Sequence, residues 1–355
     1  MLKRLDFFVH LIITALFFAL LCSCSGSKSR ADSSEPDYLS ITDTIRLTRF
    51  TVSDEFLKPV RLFVAQNHLV VAHTGMDHVF NAYSLPLTGD VVTGVTSGRG
   101  PKELIAPDMG SVVDEKGCFR IVDSDFRIKK IAITDEDVSI IDSEMLFLND
   151  ASVIVQNGMT YSGGYYIFPN LSDFSEGHKQ YVRVDKEGNK TPIGDYPKWG
   201  SSRGENEPFQ DFINYANIRI GHPGDKKFAE FYARYRRMRI LDIDGNVLSE
   251  AQVNYPGPAD IYAPGLTYRT YSGFPETNGK IISVLLANHD VTRTDAPDPD
   301  YSEVQIWDWN GNILKRLILV PRMSFTTVDF KGKMIYGVDS NYESSLFFAD
   351  ISGCF

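Results

Sequence analysis

The sequence contains few cysteines and has no excess of basic residues. Its 355 residues include four cysteines, too few for a domain that depends on several disulfides. Lys and Arg number 36 against 46 Asp and Glu, a formal charge of −10. Since nucleic acid selects strongly basic surfaces, we expect no nucleic-acid partner. Moderate acidity of this kind points to no other partner by itself, because it commonly serves solubility.

Several motifs of metal and nucleotide chemistry are also missing. The sequence has no H-E-x-x-H zinc motif and no C-x-x-C pair. The stretch GRGPKEL at 98–104 is not a P-loop, because it lacks the G-K-[ST] ending and no helical periodicity follows it. These absences leave it uncertain whether the protein is an enzyme, and they favour a non-enzymatic function.

No apolar run reaches the roughly 20 residues that a membrane-spanning helix needs. The longest run is FFVHLIITALFFALL at 7–21, with 15 residues, and it follows Lys3 and Arg4. This pattern is typical of a signal peptide. The following Leu21-Cys22-Ser23-Cys24 resembles a bacterial lipobox, which implies cleavage before Cys24 and acylation of that cysteine. An uncleaved anchor and a plain secretory signal are the alternatives.

The lipobox divides the chain into a signal peptide over residues 1–23, a flexible tether over 24–38 and a folded domain over 39–355. The tether SGSKSRADSSEPDY is rich in serine and charge and has no apolar period. It lacks the acidic run after the cysteine that resembles a surface-export signal of Bacteroidetes lipoproteins. We therefore expect a lipid-anchored protein of the cell envelope, on the outer membrane and facing the periplasm.

Long helical periods are absent after residue 39, and short alternating or apolar segments recur between Gly, Asn and Asp turns. A polar turn followed by a strand of about five residues recurs six times, at intervals of 46 to 61 residues. The turns lie at Asn67, Gly117, Gly163, Gly224, Gly279 and Gly332. In each of the first five repeats a second turn follows the first one. These turns lie around Gly89, Glu136, Gly188, Gly245 and Gly311.

This periodicity predicts an all-β fold, a six-bladed β-propeller with four short strands in each blade. The last blade lacks an outer strand, whereas the early segment Asp43–Phe50 is an alternating strand without a place in the repeats. We therefore predict that this N-terminal strand completes the last blade and closes the ring, which removes an exposed sheet edge. A β-sandwich or two separate β-domains are the alternatives.

The stretch from Gly98 to Ile128 resembles an NHL-type propeller repeat, and the whole chain resembles the TolB-like six-bladed propeller lipoproteins of Bacteroidetes. The matching positions are Gly98, Gly100, Pro101, Leu104, Pro107, Asp123, Arg127 and Ile128. One repeat matches well, and the other five match by spacing only. The resemblance implies the fold and the location, and it supplies no catalytic residues.

Two kinds of loop meet at one face of such a propeller: those between the second and third strands, and those that cross between blades. We name it the loop face, and ligand sites of propellers usually lie there. Its Arg, His, Asp and aromatic side chains suit an anionic or sugar-like ligand or a protein loop. The candidates are His73, His78, Arg99, Asp123, Arg127, Trp199, Arg203, Arg234, Arg236, His289, Asp290, Arg293 and Tyr342. The alternative is a structural role, in which these charged side chains pair with one another between blades.

Metal chemistry has weak support in the sequence. His73 and His78 could share a metal with Asp77, but polar loop residues of this kind are common. Six-bladed lactonases hold Ca²⁺ at the channel mouth, and the residues that could do so are Glu103, Asp123, Asn288 and Asp339. We therefore expect no cofactor, with Ca²⁺ as the one that could be present.

Three functions remain open. The first is a non-enzymatic, membrane-anchored propeller that binds a protein partner or a small polar or glycan ligand of the cell envelope through its loop face. The second is a Ca²⁺-dependent lactonase or other hydrolase on the same fold, and the third is a scaffold subunit of an envelope complex. Convergent carboxylates at the channel mouth would favour an enzyme, whereas an Arg- and aromatic-lined funnel would favour a binding protein.

Overall fold

The computed structural model describes residues 40–52, 58–74, 76–146, 158–170, 178–199, 211–212, 215–233, 235–253, 268–289, 300–339, 341–342 and 344–354. Ile41–Phe355 forms one compact unit. The predicted signal peptide and tether lie outside the described residues. The described part of the unit consists mainly of β-strands, with helical residues at Asp211 and Phe212 and a 3-10 helix at Ser352–Cys354. Within the described residues, no helix is both long and apolar enough to cross a membrane.

Most strands form antiparallel groups of four, which we number as sheets 1 to 6 in chain order. Two strands precede them, β1 (Thr42–Arg46) and β2 (Thr48–Thr51). Sheet 1 contains β3 (Pro59–Ala65), β4 (His68–His73), β5 (Phe80–Ser84) and β6 (Val91–Gly94). The short pair β7 (Thr96–Ser97) and β8 (Glu103–Leu104) follows. Sheet 2 contains β9 (Asp108–Glu115), β10 (Cys118–Val122), β11 (Arg127–Ile133) and β12 (Val138–Met145).

The remaining sheets repeat this order of strands. Sheet 3 contains β13 (Thr160–Ser162), β14 (Tyr165–Pro169), β15 (Tyr181–Val184) and β16 (Lys190–Ile193). Sheet 4 contains β17 (Asn217–Gly221), β18 (Lys227–Tyr232), β19 (Arg237–Asp242) and β20 (Val247–Gln252). Sheet 5 contains β21 (Tyr268–Thr277), β22 (Ile281–His289), β23 (Ser302–Asp308) and β24 (Ile313–Val320). Sheet 6 contains β25 (Phe325–Asp329), β26 (Met334–Val338) and β27 (Ser345–Asp350). The fourth strands of sheets 1 and 2 pair in parallel at one position, Gly94 with Val138.

The turns between third and fourth strands share one chemistry in sheets 3, 4 and 5. In sheet 5, Asp308 accepts hydrogen bonds from the backbone amides of Asn310 and Asn312, both at 2.9 Å. Gly311 has φ +89°, a conformation that a side chain would disfavour. These hydrogen bonds outweigh burial and lower the pKa of Asp308. The same D-x-x-G-N pattern ends the third strand at Asp185 and Asp242.

The N-terminal segment differs from the prediction of one strand over Asp43–Phe50. It forms two strands, because Leu47 separates β1 from β2 and its backbone amide bonds to Val320 at 2.8 Å. β1 pairs in parallel with β24 and adds a fifth strand to sheet 5. β2 pairs antiparallel with β27 and is the fourth strand of sheet 6. The segment therefore serves two neighbouring sheets.

Apolar side chains fill the spaces between neighbouring sheets. Phe63 and Phe80 of sheet 1 pack edge-to-face on Phe119 of sheet 2, with ring centroids 5.1 and 5.3 Å apart. A further cluster joins sheet 6 to sheet 1 and includes Leu69 and Tyr336. Because each fully buried side chain of this size stabilises the fold by about 1.5–3 kcal/mol, the faces between sheets hold the domain together.

The first strands of all six sheets line one cavity of about 640 Å³, which we name the central cavity. Each first strand contributes to its wall, through Arg61, Ser111, Thr160, Arg219, Glu276 and Thr327. The hairpins that end these strands also line it, at Glu115, Asn278 and Phe330. The cavity therefore lies toward the end of the first strands that is opposite the loop face.

Candidate functional site

Several predicted loop-face residues lie beyond what the structure describes. Arg203, Arg234, Asp290 and Arg293 are outside the described residues, as are many neighbours of these positions. His289 is described through its backbone, which pairs with Tyr268 across β21 and β22. The roles predicted for these five residues stay predictions.

His73 and His78 lie together at the end of sheet 1. Their rings are 5.1 Å apart, and the Nε2 atoms lie 2.9 and 2.7 Å from the same side-chain oxygen of Asn81. Burial lowers the pKa of His73. Among the residues that the structure describes, no group of three or more His, Cys, Asp or Glu side chains could hold a metal ion. An amide therefore holds the two imidazoles in place.

Asp123 organises the crossing loop before sheet 2. Its fully buried carboxylate accepts hydrogen bonds from the backbone amides of Ile105 and Ala106, at 2.9 and 2.8 Å, and from the Lys129 ammonium at 2.8 Å. These partners connect residues almost twenty positions apart, so Asp123 has a clear structural role. Arg127 nearby makes a long ion pair of 3.7 Å with Asp125.

The other described candidates are spread over different parts of the loop face. Arg99 is exposed. Tyr342 near sheet 6 is 38% exposed, packs 5.4 Å from the Phe347 ring and lies under the guanidinium of Arg49 at 5.2 Å. Arg236 accepts a backbone hydrogen bond from Val253 at 2.8 Å. Among the described candidates, the structure joins His73 to His78.

Trp199 marks the densest group of aromatic rings on this face. Its ring lies 4.7 Å from Tyr232 and 6.2 Å from Tyr215, and the guanidinium of Arg237 lies 4.7 Å from it. The Tyr215 hydroxyl donates a hydrogen bond to the Trp199 carbonyl at 2.8 Å. These contacts fasten the crossing between sheets 3 and 4 onto sheet 4.

A buried polar network, which the sequence analysis missed, lies beneath these rings. The Glu230 carboxylate accepts hydrogen bonds from Tyr181 of sheet 3 and from Tyr232 and Arg239 of sheet 4. Burial and the Glu230 charge raise the pKa of both tyrosines well above its usual value, so both hydroxyls keep their protons. The network links the two sheets. Its sequence signal was an acidic and a basic residue at inward positions of adjacent apolar strands, FAEFY and RMRIL.

A pocket of about 170 Å³ opens between sheets 3 and 4, at the strand ends on the loop-face side. We name it the aromatic pocket, and it is lined by Pro169, Gln180, Tyr181, Tyr196, Phe212, Tyr215, Ala216, Asn217 and Arg219. Asn217 donates hydrogen bonds to the Tyr181 hydroxyl at 2.9 Å and to the Tyr215 carbonyl at 3.0 Å. Aromatic walls with a few fixed polar groups are typical of pockets that bind small ligands.

Local backbone geometry directs Tyr196 toward this pocket. Gly194, at the end of β16, has φ +70°, and a Cβ there would lie 3.3 Å from the Tyr181 ring. Glycine therefore permits the turn that leads the chain past Tyr181. The Tyr196 hydroxyl is buried and has no hydrogen-bond partner among the described residues, and burial raises its pKa. A buried hydroxyl without a partner is unusual in a native fold.

Comparisons with known proteins give the fold and no more. No family model matches the chain, and no curated protein matches it. A member of the DUF4221 family from Bacteroides vulgatus has a similar structure, with a TM-score of 0.52, 10% identity, and coverage of 85% of this chain and 95% of that one. The chain shares the fold of that protein.

Two further structures are similar at a lower level. One is a protein from Bacteroides fragilis, provisionally described as exported, with a TM-score of 0.48, 9% identity, and coverage of 87% of this chain and 98% of that one. The other is the β-propeller domain of Swd1 from Myceliophthora thermophila, with a TM-score of 0.44, 8% identity, and coverage of 86% and 100%. Independently of these two structures, the first strands of the six sheets line one cavity, an arrangement typical of a propeller.

Proposed function

We propose that the protein is a six-bladed β-propeller of the cell envelope that binds a small glycan ligand in the aromatic pocket of its loop face. The six groups of antiparallel strands and the contribution of every first strand to the central cavity support six blades. The pairing of β2 with β27 and the apolar cluster between sheets 6 and 1 support a closed ring. The NHL-like assignment rests on the sequence motif of sheet 2.

The proposed location follows from the start of the sequence. An acylated Cys24 would hold the domain at the outer membrane, and residues 24–38 would let it reach ligands in the periplasm. Two or more acyl chains anchor a protein far more firmly than one chain does. An anchored binding protein keeps its ligand at the membrane surface.

The observation that carries the glycan proposal is the composition of the aromatic pocket. Tyr196, Phe212 and Tyr215 offer aromatic faces on which the apolar face of a sugar ring can pack. The Tyr196 hydroxyl and the Gln180 amide offer polar groups that can bond sugar hydroxyls. The volume of about 170 Å³ suits one sugar unit, so a longer glycan would be recognised at one residue or at its end.

Calorimetric titration of the full-length protein in detergent with neutral mono- and disaccharides tests the proposal. We expect Tyr196→Ala to weaken binding about tenfold, since an aromatic contact contributes roughly 0.5–1.5 kcal/mol beyond the area that it buries. Tyr342→Ala is the matched control, because Tyr342 lies on the loop face and does not line the pocket. Equal weakening by both variants, or no sugar binding at all, would contradict a glycan pocket.

A protein partner is the other ligand that the loop face could bind. The same two variants distinguish a protein partner from a glycan. A protein interface extends over a broad surface, so capture of a partner from envelope extracts would be sensitive to Tyr342→Ala as well as to Tyr196→Ala. Capture in the presence of Ca²⁺ and of a chelator tests whether calcium contributes.

A further inference from the structure

One buried arginine lacks the partner that the other buried cations have. Four Lys or Arg side chains are fully buried among the described residues, and three of them pair with buried carboxylates. These pairs are Lys129 with Asp123, Arg239 with Glu230, and Arg316 with Glu303. Arg61 is the fourth. It is 4% exposed, and its Nε and Nη1 atoms have no hydrogen-bond partner among the residues that the structure describes.

Aromatic rings flank the Arg61 guanidinium. Its central carbon lies 5.3 Å from the Phe63 ring centroid and 4.7 Å from that of Phe274. Such contacts attract a cation but satisfy none of the five N–H donors of a guanidinium. Burial lowers the pKa of Arg61 to about 10, so the side chain is still charged at neutral pH. The described part of the fold therefore leaves two donor atoms of this buried cation, Nε and Nη1, without hydrogen-bond partners.

Two carboxylates act electrostatically on Arg61, those of Asp108 and Glu276, and both accept hydrogen bonds from other groups. Asp108 accepts hydrogen bonds from two backbone amides, at 2.9 and 2.6 Å. Glu276 accepts one from a backbone amide at 2.8 Å and one from a threonine hydroxyl at 2.5 Å. Neither forms an ion pair with Arg61 within 4.0 Å in the described part of the chain. Burial also raises the pKa of both carboxyls, to about 7 for Glu276.

A second unpartnered group lies in the same wall. The Thr160 hydroxyl is buried and makes no hydrogen bond within the described part of the chain, and Thr160 lines the central cavity with Arg61. Arg219 lines it too, and its Nη1 donates to Asn217 at 2.7 Å. Buried donors without partners are rare in native structures, and the two residues that carry them line a cavity of about 640 Å³, enough for a small organic molecule.

The opposite end of the cavity has acidic character. Asp114, Glu115 and Asp329 line the hairpin end, where Arg120 pairs with Glu115 at 3.1 Å. This rim disfavours an anion with two charges and favours hydrogen-bond donors. A ligand that matches both ends has one delocalised negative charge at its deep end and hydroxyl groups at its outer end.

We propose that the central cavity binds a small hydroxylated monocarboxylate, of the chemical class of sugar acids, with its carboxylate held by Arg61 and Thr160. A carboxylate is planar and matches the donors of a guanidinium. The hydroxyl groups of the ligand point toward the acidic rim. This site is distinct from the aromatic pocket, and neither proposal depends on the other.

Binding of sodium acetate and sodium D-glucuronate to the full-length protein in detergent tests this proposal. Sodium chloride at equal ionic strength controls for salt, and D-glucose controls for the sugar ring, because it differs from glucuronate at the carboxylate carbon. We expect both carboxylates to raise the Tm saturably above their controls. Any binding of the ring to the aromatic pocket contributes equally to glucose and glucuronate, so it cancels.

Variants assign the effect to Arg61. We expect Arg61→Met to weaken glucuronate binding at least about tenfold and Arg61→Lys to weaken it less, since a lysine keeps the charge but not the planar donors. Arg183→Met is the matched control. Its guanidinium also stacks on an aromatic ring, 4.8 Å from Tyr165, but lies outside the cavity wall.

Two results would overturn the proposal. One is a wild-type Tm that rises no more with the carboxylates than with chloride and glucose. The other is an undiminished response in Arg61→Met. A measurement without ligand guards against misfolding: removal of an unpaired buried cation should leave the Tm of Arg61→Met unchanged or higher. A large fall would mean that Arg61 is a structural residue, which also counts against the proposal.

Discussion

Replacement of Glu276 by Gln should change how stability depends on pH. The Glu276 carboxyl joins sheet 5 to sheet 6, since it accepts hydrogen bonds from the Thr327 hydroxyl at 2.5 Å and from the Val328 amide at 2.8 Å. Burial is the largest influence on this group and raises its pKa from 4.5 to about 7, against the opposing effects of the hydrogen bonds and of Arg61. The folded protein therefore favours the protonated form.

The direction of the pH effect follows from this shift. Below about pH 4.5 the carboxyl is protonated in both folded and unfolded chains, so ionisation does not affect the free energy of unfolding. Between pH 4.5 and about 7 the folded state binds the proton and the unfolded state does not, so stability falls as the pH rises. A shift from 4.5 to about 7 corresponds to a loss of roughly 3 kcal/mol.

Glutamine reproduces the protonated form of Glu276. Its carbonyl can accept the hydrogen bond from Val328, and its amide can donate to the Thr327 hydroxyl. We expect Glu276→Gln to match the wild type near pH 4.5 and to be about 2–3 kcal/mol more stable at pH 8, since the variant has no charge to bury. Guanidinium unfolding, followed by fluorescence at both pH values, measures the difference.

Glu250→Gln is the matched control for this substitution. Glu250 pairs with Arg237 at 2.8 Å in a half-buried position, so loss of its charge should lower stability at pH 8 or leave it unchanged. The reasoning on Glu276 would be refuted if its variant behaved like this control. It would also be refuted if the stability gain of Glu276→Gln were the same at both pH values.

Three further predictions concern the anchor, the ring closure and the thiols. Cys24→Ala should release the protein from the membrane pellet and abolish labelling by a fatty-acid analogue, with the fold unchanged by circular dichroism. Deletion of Thr48–Thr51 should lower the Tm by several degrees, because β27 loses its outer partner, whereas deletion within the predicted tether should not. Thiol titration of the denatured, unreduced protein should detect Cys118 and Cys354, which are both unpaired and lie in sheet 2 and after sheet 6.

Local turn chemistry explains what could be predicted from the sequence. All six turns predicted to open the repeats lie between the first and second strands of a sheet, as at Asn67 (φ 64°) and Gly117 (φ 81°). The second set of turns lies between third and fourth strands. Both sets depend on residues that tolerate positive φ or bond to their own backbone, and single residue types identify such positions.

Non-local pairing explains where the prediction of the N-terminal segment was wrong. The residues DTIRLTRF alternate without a break, so the sequence suggests one strand. The division at Leu47 arises because β24 offers a parallel edge to one half and β27 an antiparallel edge to the other. These edges belong to strands that are almost 300 residues away, and nothing in the segment itself identifies them.

The loop-face candidates illustrate a different limit. Asp123 and His73 were selected because polar residues in tight loops at a channel mouth often bind ligands. In the structure Asp123 bonds to backbone amides and His73 to Asn81, which are the contacts that tight loops also need. Residue type alone cannot separate the two uses, since both require a short polar side chain near the end of a strand.

The central cavity could not be assembled from the sequence, because its wall takes one short piece from each of six strands. Arg61 lies in PVRLFVA, where the charge falls among apolar residues and is easily read as one exposed position on a strand. The interpretation of that arginine depends on whether its side chain is exposed or buried. An exposed arginine needs no explanation, whereas one that is 4% exposed and lacks hydrogen bonds for two donors costs stability unless a ligand supplies them. Since the other buried cations among the described residues have carboxylate partners, Arg61 is the position in the first strands where binding, rather than folding, best explains the residue.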